Sequence, residues 1–303
     1  MKCFVAGGTG VIGRRSVAML SGAGHDVTVL SRSEDGDRTA SHHRGRPVRG
    51  HLFDPDVLVT ATAGHDVVIN LATSIPPLNR AARRSAWATN DRIRTEGVDN
   101  LIDAAIANGI VRYVQESTTF PYVDAADHWI DETHPRAAND AEDATAHAER
   151  RTAEYSEAGG TGVVLRFGQF YDDESGHTRS QAAMARRRID PFFGDPDAHL
   201  AIVGVPAAAR AVLTAASLES GAYNVVDDDP PTRREVGDEI ALHLGVGRLR
   251  RIPPSIIRRL NPASDMLMRS QRVSNEALRA RTNWRPDHSG ANGLASTIWE
   301  ITR

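Results

Sequence analysis

Short runs of β-branched and apolar residues alternate along the chain with longer stretches in which apolar residues recur every three to four positions. The first kind of run fits a strand buried on both faces, the second an amphipathic helix packed on a sheet. Strands are predicted at Cys3–Ala6, Asp26–Leu30, Val48–Gly50, Asp66–Leu71, Tyr113–Glu116 and Val163–Arg166, with helices between them. The first helix should run from Gly10 to Ser21, ended by Gly22 and Gly24. A long one is expected from Trp87 to Ala107, with Ile93, Val98, Leu101, Ile102 and Ala105 on one face and Asn108-Gly109 as its stop. An alanine-rich, charged helix covers Ala141 to Ala158 and closes at Gly159-Gly160.

Beyond Gly168 the alternation becomes irregular. Asp172–His177 and the proline-interrupted Asp190–Pro196 read as loops, Pro253-Pro254 and Pro262 punctuate the last third, and a helix start is expected at Thr232. The fold class is α/β. A doubly wound parallel sheet of Rossmann type is expected over residues 1–167, and a smaller C-terminal substrate lobe over 168–303, with a return to the sheet near 223–226.

Composition narrows the chemistry. With 303 residues, 40% hydrophobic and 25% charged, the chain can bury a large core, which excludes a disordered or fibrous protein. Of 36 basic residues 35 are arginine, and Lys2 is the only lysine, so no mechanism with a catalytic lysine elsewhere is open. A net charge of −3 leaves no footprint for nucleic acid. Cys3 lies in an apolar run and reads as a small buried hydrophobe, and His42-His43 lacks a spaced third ligand, so no metal site is expected. No apolar run reaches the length of a membrane span and no signal-peptide pattern is present, so a cytoplasmic protein is expected.

The segment Gly7-Gly8-Thr9-Gly10-Val11-Ile12-Gly13 follows the first strand and opens the first helix. Glycines at 7, 10 and 13 suit a tight turn, a close approach to a pyrophosphate and a helix N-terminus aimed at it, so this is read as a dinucleotide site. At the end of the second strand, where a carboxylate would hold the ribose hydroxyls of NAD, the chain has Ser31-Arg32. These two, with Arg14 as a second cation, suit a 2′-phosphate, so NADP is expected over NAD.

With that turn in place, the chain resembles the extended and atypical short-chain dehydrogenase/reductases, the group of nucleotide-sugar epimerases and dehydratases. The resemblance runs through Gly50-His51-Leu52-Phe53-Asp54, Val67–Ala72, Asn90 with Gly97–Leu101, Tyr223–Asp227, Ser270–Asn275 and Asn283-Trp284-Arg285-Pro286. It implies that His51, Leu52, Leu71, Ala72, Thr73, Phe167, Gly168 and Gln169 border the cofactor, with Thr73–Pro77 beside cofactor and substrate. The family's reaction rests on a serine or threonine, a tyrosine, and a lysine four residues after the tyrosine. Val114–Tyr122 matches the hydroxyl segment and places that hydroxyl at Thr118, with Ser117 beside it. In the following helix Ala146 falls at the tyrosine position and Arg150 at the lysine position. No tyrosine of the chain has a basic residue four positions later.

A missing tyrosine weakens acid/base chemistry more than cofactor binding. The leading expectation is an NADPH-dependent ketoreductase acting on a hydrophobic, polycyclic small molecule. It is similar in this respect to ketoreductases that tailor aromatic polyketides, such as the simocyclinone type acting on an angucyclinone. The alternatives are an NADP-binding sensor without turnover and an epimerase/dehydratase-like enzyme. Met184, Phe192, Phe193, Met266 and Met268 are candidates for an apolar pocket, although such residues also build ordinary cores. His147, beside the tyrosine position, is read as an exposed helical histidine. The oligomeric state stays open.

Overall fold

The apolar runs become strands because both of their faces are covered. Cys3–Ala6, Val27–Ser31 and Val67–Asn70 are buried at every position. In the computed structural model, which describes residues 1–76, 80, 83–137, 140–260, 265–287 and 290–303, the strands are β1 (Lys2–Ala6), β2 (Asp26–Ser31), β3 (Arg46–Arg49), β4 (Val67–Asn70), β5 (Arg112–Thr118), β6 (Trp129–Ile130), β7 (Thr161–Phe167), β8 (Gln169–Tyr171), β9 (Ile202–Gly204), β10 (Gly221–Val225) and β11 (Arg272–Val273). Seven of them form one parallel sheet in the order β3-β2-β1-β4-β5-β7-β10. β8 pairs with β9 and β6 with β11 as two small parallel ribbons. The order reverses between β1 and β4, and the crevice beyond the carboxyl ends of those strands is where such a sheet takes a ligand.

The helices are α1 (Val11–Gly22), α2 (Glu34–His42), α3 (Pro55–Thr62), α4 (Ala88–Arg92), α5 (Val98–Ala107), α6 (Asp140–Glu157), α7 (Gly176–Arg186), α8 (Val205–Thr214) and α9 (Arg233–His243), followed by four shorter or C-terminal ones. α1 and α8 pack together against one face of the sheet, over a core that includes Val5, Val17, Leu20, Val29, Ile69, Val114 and Leu165. On the other face α3, α5 and α6 cover Phe4, Val68 and Tyr113. The lobe has a separate core of Tyr171, Ala182, Phe192, Val236, Ile240, Leu249, Leu294 and Ile298. Val203, Ala208, Val212, Leu278 and Trp284 pack on the sheet, and the Trp284 indole donates to Ala207 O at 2.8 Å. The chain's return to the sheet is thus broader than the strand near 223–226.

Three elements differ from their expected form. β3 starts two residues before Val48 and occupies the sheet edge, where half-exposed positions dilute the apolar pattern. The long helix expected over 87–107 forms without a break from Ala88 to Ala107, but it carries a π turn at Ile93–Gly97 between α4 and α5, which shifts the phase of the buried face. α7 begins at Gly176, inside the expected loop, because the Ser175 hydroxyl caps it. Thr232 does start a helix, and it forms a reciprocal cap with Glu235. Cys3 is buried, 1% exposed. Pro77 and Pro262 lie outside the described residues. Among the described residues no helix is long and apolar enough to cross a membrane, and no group of three or more His, Cys, Asp or Glu is placed to hold a metal ion.

Candidate active site

The glycine turn is tight. Gly7 has φ +79°, and a Cβ there would stand 2.5 Å from Ala72 N, while a Cβ on Gly13 would stand 2.0 Å from Gly7 O. The turn is therefore pressed against the chain leaving β4, and the first turn of α1 against the turn itself. Gly10 begins α1 with no side-chain cap. The amides of Val11, Ile12 and Gly13 belong to the first helical turn, where no carbonyl partner exists within the helix, and the helix dipole adds positive potential there. With Thr9 and Gly10 exposed, this cradle fits the pyrophosphate of a dinucleotide.

On the adenosine side, Ser31 ends β2 buried, its hydroxyl donating to Ser33 O at 3.0 Å, and Arg32 is exposed next to it. Ser33 caps α2. Arg14 pairs with Glu174 at 2.7 Å and Arg15 with Asp172 at 2.8 Å, so the arginine expected as a second phosphate cation is engaged by the segment before α7. His51 is exposed, and its Nδ1 accepts from Phe53 N at 3.2 Å. Leu52 and Leu71 are buried, Ala72 N donates to Asn70 Oδ1, and Thr73 is exposed. Ser74 N donates to Asn90 Oδ1 at 3.0 Å, which ties this loop to α4.

Across the sheet, Phe167 lies opposite Thr118 in the β5–β7 register, and Thr119 N donates to Phe167 O at 3.0 Å. A Cβ on Gly168 would come within 2.8 Å of Ala201 O, and Gln169 follows half-buried. The glycine turn, Leu71–Thr73, Thr118 and Phe167–Gln169 thus meet at the carboxyl ends of β1, β4, β5 and β7.

The two candidate hydroxyls are not equivalent. The Ser117 hydroxyl donates to Glu149 Oε1, one helical turn after Ala146 on α6. Arg166 clasps the same carboxylate through Nη2 at 2.7 Å, and Arg136 also donates to it. Burial opposes the ionisation of Glu149, but these guanidinium groups and the Ser117 hydroxyl outweigh it and hold the carboxyl below its ordinary range. Arg166 Nη1 donates to the Tyr122 hydroxyl at 2.8 Å, and that hydroxyl donates to Asn224 Oδ1 at 2.8 Å. Thr118 Oγ1 only accepts a long bond from Phe120 N, 3.4 Å, and its proton meets no acceptor among the described residues. Ser117 is a structural hydroxyl and Thr118 an available one.

Arg150 is exposed and donates to His147 Nδ1 at 3.3 Å. His147 is not the exposed histidine expected: it is half-buried between α6 and α5, with Nε2 at 2.9 Å from Asp99 Oδ1, because those helices lie side by side and share Asp99 with Arg151. Of the apolar candidates, Phe192 and Met268 are buried, Phe192 in the lobe's core, and Met184, Phe193 and Met266 are half-buried.

Two features escape a sequence reading. Arg94 and Glu116 form a buried ion pair, with Nη2 at 3.0 and 2.8 Å from the two carboxylate oxygens and side chains 4% and 8% exposed. Helical spacing sets Arg94 on the face of Val98, Leu101 and Ala105, but nothing in the sequence points to Glu116 as its partner. Gln271 Nε2 donates to Thr119 O, Phe120 O and Tyr122 O, so a residue of the last segment clamps the loop after Thr118.

Comparison with known proteins identifies the family and the fold. A 3-diazoavenalumate denitrifying reductase of a Streptomyces species is 28% identical over 97% of this chain and 99% of its own. A 4-hydroxy-2-methyl-3-oxo-4-farnesyl-3,4-dihydroquinoline-1-oxide ketoreductase of Stigmatella aurantiaca is 29% identical over 45% of this chain and 39% of its own. The structure of a Thermus thermophilus UDP-glucose 4-epimerase in complex with NAD superimposes with a TM-score of 0.79 at 23% identity, covering 99% of both chains, which shows the shared fold. The sequence model of the NAD dependent epimerase/dehydratase family matches residues 3–221, from β1 through the glycine turn and the hydroxyl strand to the start of β10. The chain belongs to the NAD dependent epimerase/dehydratase family.

Proposed function

We propose that this protein is an NADPH-dependent ketoreductase that reduces a ketone of a polycyclic aromatic, polyketide-like substrate without a tyrosine acid. The carrying observation is the pair of hydroxyls at the end of β5, where Ser117 is tied to Glu149 and Thr118 meets no acceptor among the described residues; in our reading Ala146 of α6 stands where the family has its tyrosine. The dinucleotide, held by the Gly7–Gly13 turn with Ser31 and Arg32 at its 2′-phosphate, would supply a hydride. Thr118 then donates a hydrogen bond to the substrate oxygen, and Phe167–Gln169 and Thr73–Ser74 border the reacting face.

Magnitudes favour reduction over the other reactions of the family. A positioned general acid contributes about 10²–10⁴-fold, whereas holding reactants in attack geometry contributes about 7–11 kcal/mol. Reduction therefore survives the loss of the tyrosine, especially where a hydroxyl beside the substrate's carbonyl carries the proton. Epimerisation and dehydration begin by oxidising an alcohol and need a base. Arg150 cannot lose its proton and is no substitute.

The test is consumption of NADPH with a panel of quinones and polycyclic ketones bearing a neighbouring hydroxyl. Turnover supports the reading, and tight NADP binding with no turnover favours a cofactor-reporting regulator. Thr118→Ala should lower kcat by less than about 10²-fold, because its bond assists and does not deliver the only proton. A loss beyond about 10⁴-fold would assign it the acid role. Arg32→Asp should weaken NADP binding by about 10- to 100-fold, the worth of one charge-assisted bond, and leave NAD preferred. Unchanged NADP affinity removes Arg32 from the phosphate site.

A second reading comes from the full-length relative, whose name describes removal of nitrogen from a diazo compound. Hydride delivered to the ring carbon of an arenediazonium cation would displace dinitrogen and leave a C–H bond with no proton required, so this centre also suits that reaction. A diazo arene belongs in the panel, with gas release as the readout.

A further inference from the structure

Arg94 carries charge where helical periodicity predicts none. It lies in the π turn Ile93–Gly97, and such turns occur often at functional sites. Its partner Glu116 follows Gln115, the last residue of β5 paired with β4, so Glu116, Ser117 and Thr118 run past the end of β4. Glu116 and Thr118, two residues apart on one strand, share a face. The π turn packs against α6, the helix of Ala146. The pair therefore lies past the end of β4, with Glu116 on the strand of the available hydroxyl and Arg94 in a turn packed against the helix of Ala146.

Only half of the guanidinium end is used. Both bonds to Glu116 come from Nη2, while Nη1 is buried with no partner among the described residues. A buried donor left unmet costs about 1–3 kcal/mol, more when charged, and a ligand oxygen that met it would recover that cost.

We propose that Arg94 is a catalytic residue of this reduction, its Nη1–H binding the substrate's carbonyl oxygen and stabilising the negative charge that forms there. The proposal rests on the reductase reading. As hydride adds to the carbonyl carbon, the C=O π pair moves onto oxygen, the ketone is reduced and the nicotinamide cofactor is oxidised. The alkoxide then takes a proton from a neighbouring substrate hydroxyl or from water. Arg94 stays protonated throughout, so it acts by charge and direction, as the donors of an oxyanion hole do, and Glu116 holds the plane of its guanidinium.

The test uses 1,2-dihydroxyanthraquinone, a polycyclic ketone whose visible band moves when its phenol ionises, with whole protein and no cofactor. The wild type should ease that ionisation about tenfold or more. Arg94→Lys keeps a charge beside Glu116 but loses the second nitrogen, and should bind the dye with most of the shift gone. The double variant Arg94→Met/Glu116→Gln removes the pair without stranding a carboxylate and should lose the shift entirely. NADP affinity should change by less than threefold in both, which reports an intact fold. On a ketone that the wild type reduces, Arg94→Lys should lower kcat about 10²-fold with little change in KM. Arg94→Lys with the full wild-type shift, or a wild type that leaves the dye's ionisation unchanged, overturns the proposal. The expected shift with no ketone turned over would remove the reductase reading and leave the oxyanion site standing.

Discussion

Glu149→Ala should lose about 3–5 kcal/mol of folding stability at neutral pH, read as an earlier urea midpoint. The carboxylate is the common acceptor for Arg166, Arg136 and the Ser117 hydroxyl. Removing it strands Arg166, itself 8% exposed, with a charge that water cannot reach. The loss should depend on pH with a definite sign. The folded carboxyl is held below its ordinary value, so its contribution is complete above the unfolded value of about 4.3 and is lost as the pH falls through the folded one. The gap between wild type and variant should be full at pH 7 and close in acid. A gap that persists undiminished at pH 2 would mean that Glu149 does not act as an ionised partner. Glu149→Gln should fall between the two, since it keeps an acceptor for Ser117 but not the charge.

Gly13→Ala should lower NADP affinity by about 10²–10⁴-fold, measured by titration of the cofactor into folded protein. The new methyl would lie 2.0 Å from Gly7 O and 2.7 Å from Gly8 Cα, backbone atoms that cannot swing aside. The turn and the first turn of α1 must separate, which takes the helix amides off the pyrophosphate. Two charge-assisted bonds lost at about 1.5–3 kcal/mol each give that range. Gly22→Ala is the control, because a Cβ there meets nothing within 4 Å. Equal affinities for Gly13→Ala and wild type would remove the cradle from the cofactor site.

What can be read in advance follows from the kind of force involved. Parallel strands covered on both faces write themselves as continuous apolar runs, so β1, β2, β4, β5 and β7 are visible, and the glycine turn is visible because only glycine fits it. β3 is blurred by its edge position. The π turn is hidden, since one additional residue per turn leaves no mark in composition, and so is the pairing of Arg94 with Glu116. Ser117 and Thr118 are adjacent and chemically alike. What separates them is Glu149, 32 positions after Ser117, together with Arg166 on another strand. Pairings of that reach belong to the folded chain and not to any local pattern.

The clamp from Gln271 onto the carbonyls of Thr119, Phe120 and Tyr122 spans 149 to 152 positions of sequence. The glycine turn, by contrast, is wedged among its own neighbours and the residues that leave β4. The two halves of the candidate site therefore have separate weak points: a substitution at Gln271 should loosen the loop beside Thr118 and leave the Gly7–Gly13 turn in place.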